Sequence, residues 1–201
     1  LKNGRFIWAS ERTGFMHLYL YGDNGALERP LTSGEWQVDS LDGVDEKNEK
    51  IYFSATLDGP GERHLYVISF DGGVPQRLTP EPGTHAITLD HKFSRFIDQY
   101  DSLTQPPVIT LRSLENGRSL HTIFSPNDPR LESLSLNPPE IITLTTRDNI
   151  LLYGAIYHPP ASFGAGPLPT IVCVYGGPHA QLVVNSWRDT VNMRAQYLAQ
   201  Q

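Results

Sequence analysis

Over the first two thirds of the chain, apolar and polar residues alternate with the two-residue period of short, half-buried strands, and the pattern recurs on a longer scale. Phe6-Ile7-Trp8, Ile51-Tyr52-Phe53 and Phe96-Ile97-Asp98 begin 45 residues apart each time. His17-Leu18-Tyr19-Leu20-Tyr21 returns as His64-Leu65-Tyr66-Val67-Ile68, and more loosely as Val108-Ile109-Thr110-Leu111. Leu31-Thr32 returns as Leu78-Thr79. A period of about 40 to 45 residues is that of four-stranded β-propeller blades. Turn clusters at Gly22-Asp23-Asn24-Gly25, Asp71-Gly72-Gly73 and Glu115-Asn116-Gly117 separate the runs, as hairpin turns do.

Strand counting places one repeat at about residues 35–79 and the next at about 86–124, while the first begins at its second strand. About three blades do not close a ring, which usually takes at least four. The sequence is therefore expected to start in mid-blade, as a fragment of a longer protein or one whose blades pair with another partner. Residues 125–139, SPNDPRLESLSLNPP, hold four prolines and break the repeat, as a linker would.

Beyond the linker the pattern changes. IITLTTR and ILLYGAIY predict a hairpin around Asp148-Asn149, followed by a Pro/Gly/Ala loop over residues 159–167. Residues 171–175 are an unbroken apolar or β-branched run, which predicts a strand covered on both faces, as in a parallel α/β sheet. The run stops at Gly176-Gly177-Pro178. Residues 186–201 then predict a helix with Ser186 as N-cap, Asp189 in the first turn, and Trp187, Val191, Ala195 and Leu198 on one face. No stop signal follows Gln200-Gln201, so truncation at both ends is expected.

The fold class expected is thus mixed: a partial all-β propeller of about three blades, a linker at 125–137, and α/β structure after it. In α/β-hydrolases the loop after a buried strand supplies an oxyanion-hole donor. Tyr175 is the candidate donor, and Gly176, Gly177 and Pro178 shape the loop beside it. An ordinary core strand closed by a Gly-Gly-Pro turn reads the same way from this stretch alone.

Charge and composition narrow the remaining classes. The net charge of -6 comes without a concentrated basic patch, which argues against nucleic-acid binding. No apolar stretch approaches the roughly 18 residues of a membrane span. The single cysteine, Cys173, lies in the apolar run and reads as a buried small hydrophobe. His17 and His64 share a repeat position, which predicts a packing or turn role, and His85, His91, His121 and His158 show no metal-ligand spacing. No metal or cofactor is expected. His179 reads as loop shaping, Glu11-Arg12 as a solvated turn with a local ion pair, and residues 45–50 as a solvated hairpin. Trp36, Tyr19, Tyr52 and Tyr66 read as inter-blade packing.

Three motifs in order carry a resemblance: Trp8-Ala9-Ser10-Glu11-Arg12-Thr13-Gly14-Phe15 with His17-Leu18-Tyr19; Thr32-Ser33-Gly34-Glu35-Trp36; and Val174-Tyr175-Gly176-Gly177-Pro178-His179-Ala180-Gln181. The chain resembles the prolyl oligopeptidase family of serine peptidases, and within it the dipeptidyl peptidase IV branch. The resemblance implies that residues 1–124 are the C-terminal blades of a propeller capping an α/β-hydrolase domain whose N-terminal part is residues 138–201, and that the Tyr175 hydroxyl stabilises the tetrahedral oxyanion. It implies peptide substrates with a free N-terminus and penultimate Pro or Ala, and a homodimer of the parent protein. Acyl-peptide hydrolases of the same family tend to carry His in place of this Tyr. No G-x-S-x-G nucleophile elbow occurs in the sequence, and the triad Asp and His would lie further on, so these residues alone are not expected to hydrolyse peptides. Other members of the family, an acylaminoacyl peptidase or an oligopeptidase, remain alternatives, as does a propeller serving as a protein-interaction module. The compartment stays open between cytoplasm and periplasm.

An incomplete propeller and an unfinished hydrolase sheet leave strand edges unpaired. The 201 residues expressed alone are expected to self-associate through them; a monodisperse, cooperatively unfolding monomer in sedimentation and denaturation experiments would overturn this.

Overall fold

The structure, a computed structural model, describes residues 1–164, 166–177 and 180–201. Three antiparallel sheets come first. The first is β1 (Phe6–Ser10), β2 (His17–Tyr21) and β3 (Leu27–Pro30). The second is β4 (Val38–Asp45), β5 (Lys50–Ala55), β6 (His64–Ser69) and β7 (Gly72–Arg77). The third is β8 (Thr84–Leu89), β9 (Arg95–Asp101), β10 (Val108–Ser113) and β11 (Ser119–Phe124). In each, strands adjacent in sequence are adjacent in space, so these are up-and-down blades of a partial β-propeller. The repeat read from the sequence coincides with them: β1, β5 and β9 are the equivalent strands.

The middle blade explains the pattern. In β5 every residue except Lys50 is buried, although alternate side chains of a strand point to opposite faces. Ile51 and Phe53 enter one apolar cluster with Leu18, Leu20 and Leu31 of the first blade. Tyr52 enters another with Leu65, Leu78, Phe96 and Leu114, the last two from the third blade. Burying such a side chain contributes about 1.5–3 kcal/mol, and here both faces contribute. The flanking blades each lack a described neighbour on one side, and β11 is exposed along its whole length. Trp36 stacks on Phe53 and packs against the first cluster, while Tyr52 and Tyr66 lie in the two clusters, as the packing reading required.

Main chain also joins the blades. Arg63 and Thr84 form a parallel bridge, with Arg63 N–H donating to Gly83 O at 3.1 Å and His85 N–H to Arg63 O at 3.0 Å. At the turn between β10 and β11, Gly117 has φ +72°, and a Cβ there would stand 2.0 Å from Leu78 O. Glycine alone permits that approach.

The repeated histidines play the same part twice. His17 Nδ1 lies 3.0 Å from Thr32 Oγ1 and His64 Nδ1 lies 3.1 Å from Thr79 Oγ1. Each threonine oxygen also accepts the backbone N–H after its histidine, Leu18 at 2.9 Å and Leu65 at 3.2 Å. His17 Nε2 faces Gly34 O and His64 Nε2 faces Glu62 Oε2, both pure acceptors, so these nitrogens donate and Nδ1 is left to the threonine hydroxyl. Glu62 additionally accepts from Asn185 Nδ2 at 2.8 Å. Next to His64, across the blade boundary, the His85 ring lies tilted with its centroid 5.0 Å away and pairs with Asp98, which in turn pairs with Arg112.

Several local expectations change. Arg12 pairs with no carboxylate among the described residues; its guanidinium lies 4.1 Å from the Tyr19 ring centroid, where the negative face of the ring attracts it, and donates to Tyr21 OH at 2.8 Å. Asp45 is buried rather than solvated, its carboxylate accepting the Lys47 and Asn48 N–H groups that close the turn. Residues 125–137, expected as a linker, contain one helical turn, α1 (Arg130–Ser133). β12 (Glu140–Thr145) and β13 (Leu151–Ile156) form the expected hairpin, with Asn149 at φ 63°. The final helix is two: α2 (Trp187–Thr190), capped by Ser186 as expected, and α3 (Met193–Ala199). Asn192 ends the first by capping the second, its Oδ1 accepting Ala195 N–H at 3.2 Å, a competition short polar side chains bring to helices. Trp187, Val191 and Ala195 are half-buried, Leu198 is exposed, and Gln196 is the buried residue of α3.

Thr79→Val keeps shape while leaving Leu65 N–H and His64 Nδ1 unpartnered in a fully buried place, so a loss of about 1–3 kcal/mol is expected; an unchanged denaturant midpoint would contradict it. Glu62 supplies a pH test. Burial pushes its carboxyl up, but hydrogen bonds from His64 and Asn185 outweigh this and hold it below the ordinary 4.5. A depressed carboxyl stabilises the fold above that ordinary value, and the contribution disappears as pH falls through the folded one. Glu62→Gln should therefore lower the melting temperature at neutral pH and converge with the unsubstituted protein in acid; a constant difference across pH would count against it.

Candidate functional site

Residues 171–175 do not form the strand that their apolar run predicts. The segment pairs with no described strand and is exposed, Val172 to 81%. A strand of a parallel sheet takes its backbone hydrogen bonds and its burial from strands on both sides. Neither β12 nor β13 lies beside it in a sheet, and without neighbours the run has nothing to pair with. For the same reason Cys173 is exposed rather than buried; Arg194 Nη2 of α3 stands 3.8 Å from its Sγ.

Tyr175, at the end of this segment, is 48% exposed. Gly176 follows with φ +70°, the left-handed conformation that a side chain at that position would strain. Beyond it the Tyr175 ring folds back over Gly177: a Cβ on Gly177 would lie 2.9 Å from Cε1 and 3.4 Å from the phenol oxygen. Of the two glycines, the first takes up the left-handed backbone and the second leaves room for the ring. Pro178 and His179 lie outside the described residues. Tyr175, Gly176 and Gly177 are brought together by chain adjacency.

Further on, the tail meets the propeller. Gln181 Nε2 donates to Pro60 O at 2.6 Å, and its Oε1 accepts Arg63 Nη2 at 3.0 Å. Asp101, at the end of β9, accepts both Ser186 Oγ and Trp187 N–H at 2.7 Å, which seats the start of α2 on the third blade. Thr190 Oγ1 donates to Leu103 O at 2.6 Å. Asp189 is buried beneath this contact, and burial pushes its carboxyl up although Val184 N–H and Arg188 face it. Tyr157 OH donates to Asp189 O at 2.6 Å, and Gln196 bridges Asn137 and Thr190, so linker, hairpin and helices are tied to the same seam.

Sequence reasoning pointed to the Tyr175 loop and missed this seam. The bonds between tail and propeller join residues 82 to 124 positions apart, with no period or short motif to announce them. The one local signal was Ser186 ahead of the helix, legible only as a cap. His158 pairs with Glu140 at 2.7 Å, and no group of three metal-ligating side chains occurs among the described residues. No described helix is long and apolar enough to cross a membrane.

Comparison with known proteins places this arrangement. The family model described as "Dipeptidyl peptidase IV (DPP IV) N-terminal region" matches residues 1–107. Dipeptidyl peptidase 8 of Mus musculus is 32% identical over 231 residues, an alignment covering 96% of this chain and 26% of that protein. Dipeptidyl peptidase 4 of Arthroderma otae is 30% identical over 195 residues, covering 92% of this chain and 25% of that one. The chain thus spans about a quarter of the length of the curated relatives it matches. The crystal structure of Porphyromonas gingivalis dipeptidyl peptidase 4 superposes with a TM-score of 0.83 at 27% identity, covering 95% of this chain and 28% of that one. Sequence match over more than half of its length, and a shared fold over nearly all of it, establish that the chain belongs to the dipeptidyl peptidase IV family.

Proposed function

We propose that this chain is part of a serine exopeptidase that removes Xaa-Pro or Xaa-Ala dipeptides from peptides with a free N-terminus. On this reading residues 1–124 are the C-terminal blades of the propeller, 125–137 the linker, and 138–201 the start of an α/β-hydrolase domain. The observation that carries it is Tyr175 at the end of an apolar run, followed by a left-handed Gly176 and a Gly177 that its ring covers, in a chain of this family.

The chemistry follows from that loop. A serine hydroxyl attacks the carbonyl after the second residue of the substrate, and the carbonyl oxygen gains a negative charge. The Tyr175 phenol donates a hydrogen bond to that oxygen, an interaction stronger in the tetrahedral state than in the ground state, which is what lowers the barrier. Collapse expels the amine with its proton, and water then releases the dipeptide from the serine ester. The sequence holds no G-x-S-x-G, so the nucleophile is not among these residues, and the 201 residues alone should be inactive. A homodimer of the full-length protein is part of the proposal.

The test is release of a chromophore from a free-amino Xaa-Pro substrate by the full-length protein carrying this chain, with Tyr175 intact and as Tyr175→Phe. A fall in kcat of about 100- to 1,000-fold with KM little changed is expected for loss of one oxyanion donor. Equal rates would make Tyr175 a packing residue, and no activity in either form would reject the dipeptidyl peptidase reading.

A further inference from the structure

Asn185 is the point where the tail is keyed into the propeller. All four of its polar groups face that way. Its N–H donates to Gly61 O at 2.8 Å, and its Nδ2 donates to Glu62 Oε1 at 2.8 Å. Its Oδ1 accepts Leu103 N–H at 3.1 Å, and its carbonyl accepts Thr84 Oγ1 at 3.3 Å. The partners come from the loop before β6, from the first strand of the third blade, and from the loop after β9, so one side chain spans the boundary between two blades. An asparagine amide has a donor end and an acceptor end, and here each end meets its complement.

Glu62 is itself held on the far side by His64, so the carboxylate that receives Asn185 is fixed from within the blade. Gln181, four residues after Gly177, rests on the same loop through Pro60 and Arg63. The loop carrying Tyr175 is thus anchored on the propeller at its downstream end, while residues 171–174 upstream pair with no described strand.

We propose that Asn185 is a positioning residue for Tyr175: by fixing residues 181–190 against Gly61, Glu62, Thr84 and Leu103, it sets where the Tyr175 loop stands relative to the propeller. The proposal rests on the reading of Tyr175 as oxyanion donor, and it places control of that donor in a hydrogen-bonded seam between tail and propeller.

The test is a swap across the seam in the full-length protein. Asn185→Asp turns the donor end into a carboxylate facing Glu62 and breaks the pair by like charge. Adding Glu62→Gln restores it with polarity reversed, since the new amide donates to the new carboxylate and still accepts from His64. Hydrogen exchange is read by mass spectrometry on peptides covering residues 168–177 and 181–190. Exchange should rise in both for Asn185→Asp, return towards the original in the double variant, and stay unchanged in β5 and β6. In the same proteins kcat should fall about 10- to 100-fold with KM little changed, and recover in the double variant.

Exchange that rises over 181–190 but not over 168–177 would overturn the proposal, as would a double variant no better than Asn185→Asp alone. A loosened loop with undiminished kcat would overturn it too. Should Asn185→Asp not fold, Asn185→Ala removes the side-chain bonds without adding charge and is judged by the same two peptides. An unsubstituted protein that leaves the Xaa-Pro substrate intact would defeat the peptidase reading instead, and the exchange results then decide the seam by themselves.

Discussion

The structure depends on one constraint: a blade is a sheet with two apolar faces, and it can bury neither by itself. The middle blade satisfies the constraint on both sides, which is why β5 is buried almost end to end while β1 and β11 are largely exposed. The apolar clusters lie between blades and not within them. The sheets therefore hold one another in place, and the polar links between them, from the Arg63 bridge to the His64 and His85 rings, are built into an interface already dry.

The contact between tail and propeller is of a different kind. It is made of amide, hydroxyl and carboxylate groups, with Asn185, Asp101 and Gln181 at its centre, and none of the buried apolar residues that form the two clusters comes from the tail. Hydrogen bonds exchanged with water contribute modestly each, so such a seam specifies orientation more than it supplies stability. On the proposed reading of Tyr175, that suits a joint which orients the chain leading from its loop, while Tyr175 itself stays half exposed.

What was legible in the sequence follows from the range of the interactions. The blades could be read because strands pair with their sequence neighbours, so Phe6, Ile51 and Phe96 mark equivalent strands at equal spacing. The paired recurrence of His17 with Thr32 and His64 with Thr79 was visible as a repeat, though not as a hydrogen bond. Residues 171–175 were misread as a formed strand because hydrophobicity reports what a segment would bury, while the partners that bury it are set elsewhere in the chain. The helix break at Asn192 was lost for the opposite reason, a single side chain overriding a periodic pattern. Glu62, Asp101 and Asn185 carried no local signal, since what makes them matter is a partner far along the chain.

Burial on both faces of the middle blade has a further consequence. In a strand with one wet face, slipping by a single residue turns apolar side chains into solvent, and that penalty proofreads the pairing. β5 and β6 have no wet face, so a slipped pairing would expose little and hydrophobicity is a poor judge between alignments. The discrimination falls to fixtures that recognise one alignment only: Asp45 gripping its turn, Thr79 spanning His64 and Leu65, and Gly117 lying bare against Leu78. Chains altered at these points would still collapse around the same oily surfaces, but with several near-equivalent pairings in competition, so their defect would be one of heterogeneity before it was one of strength.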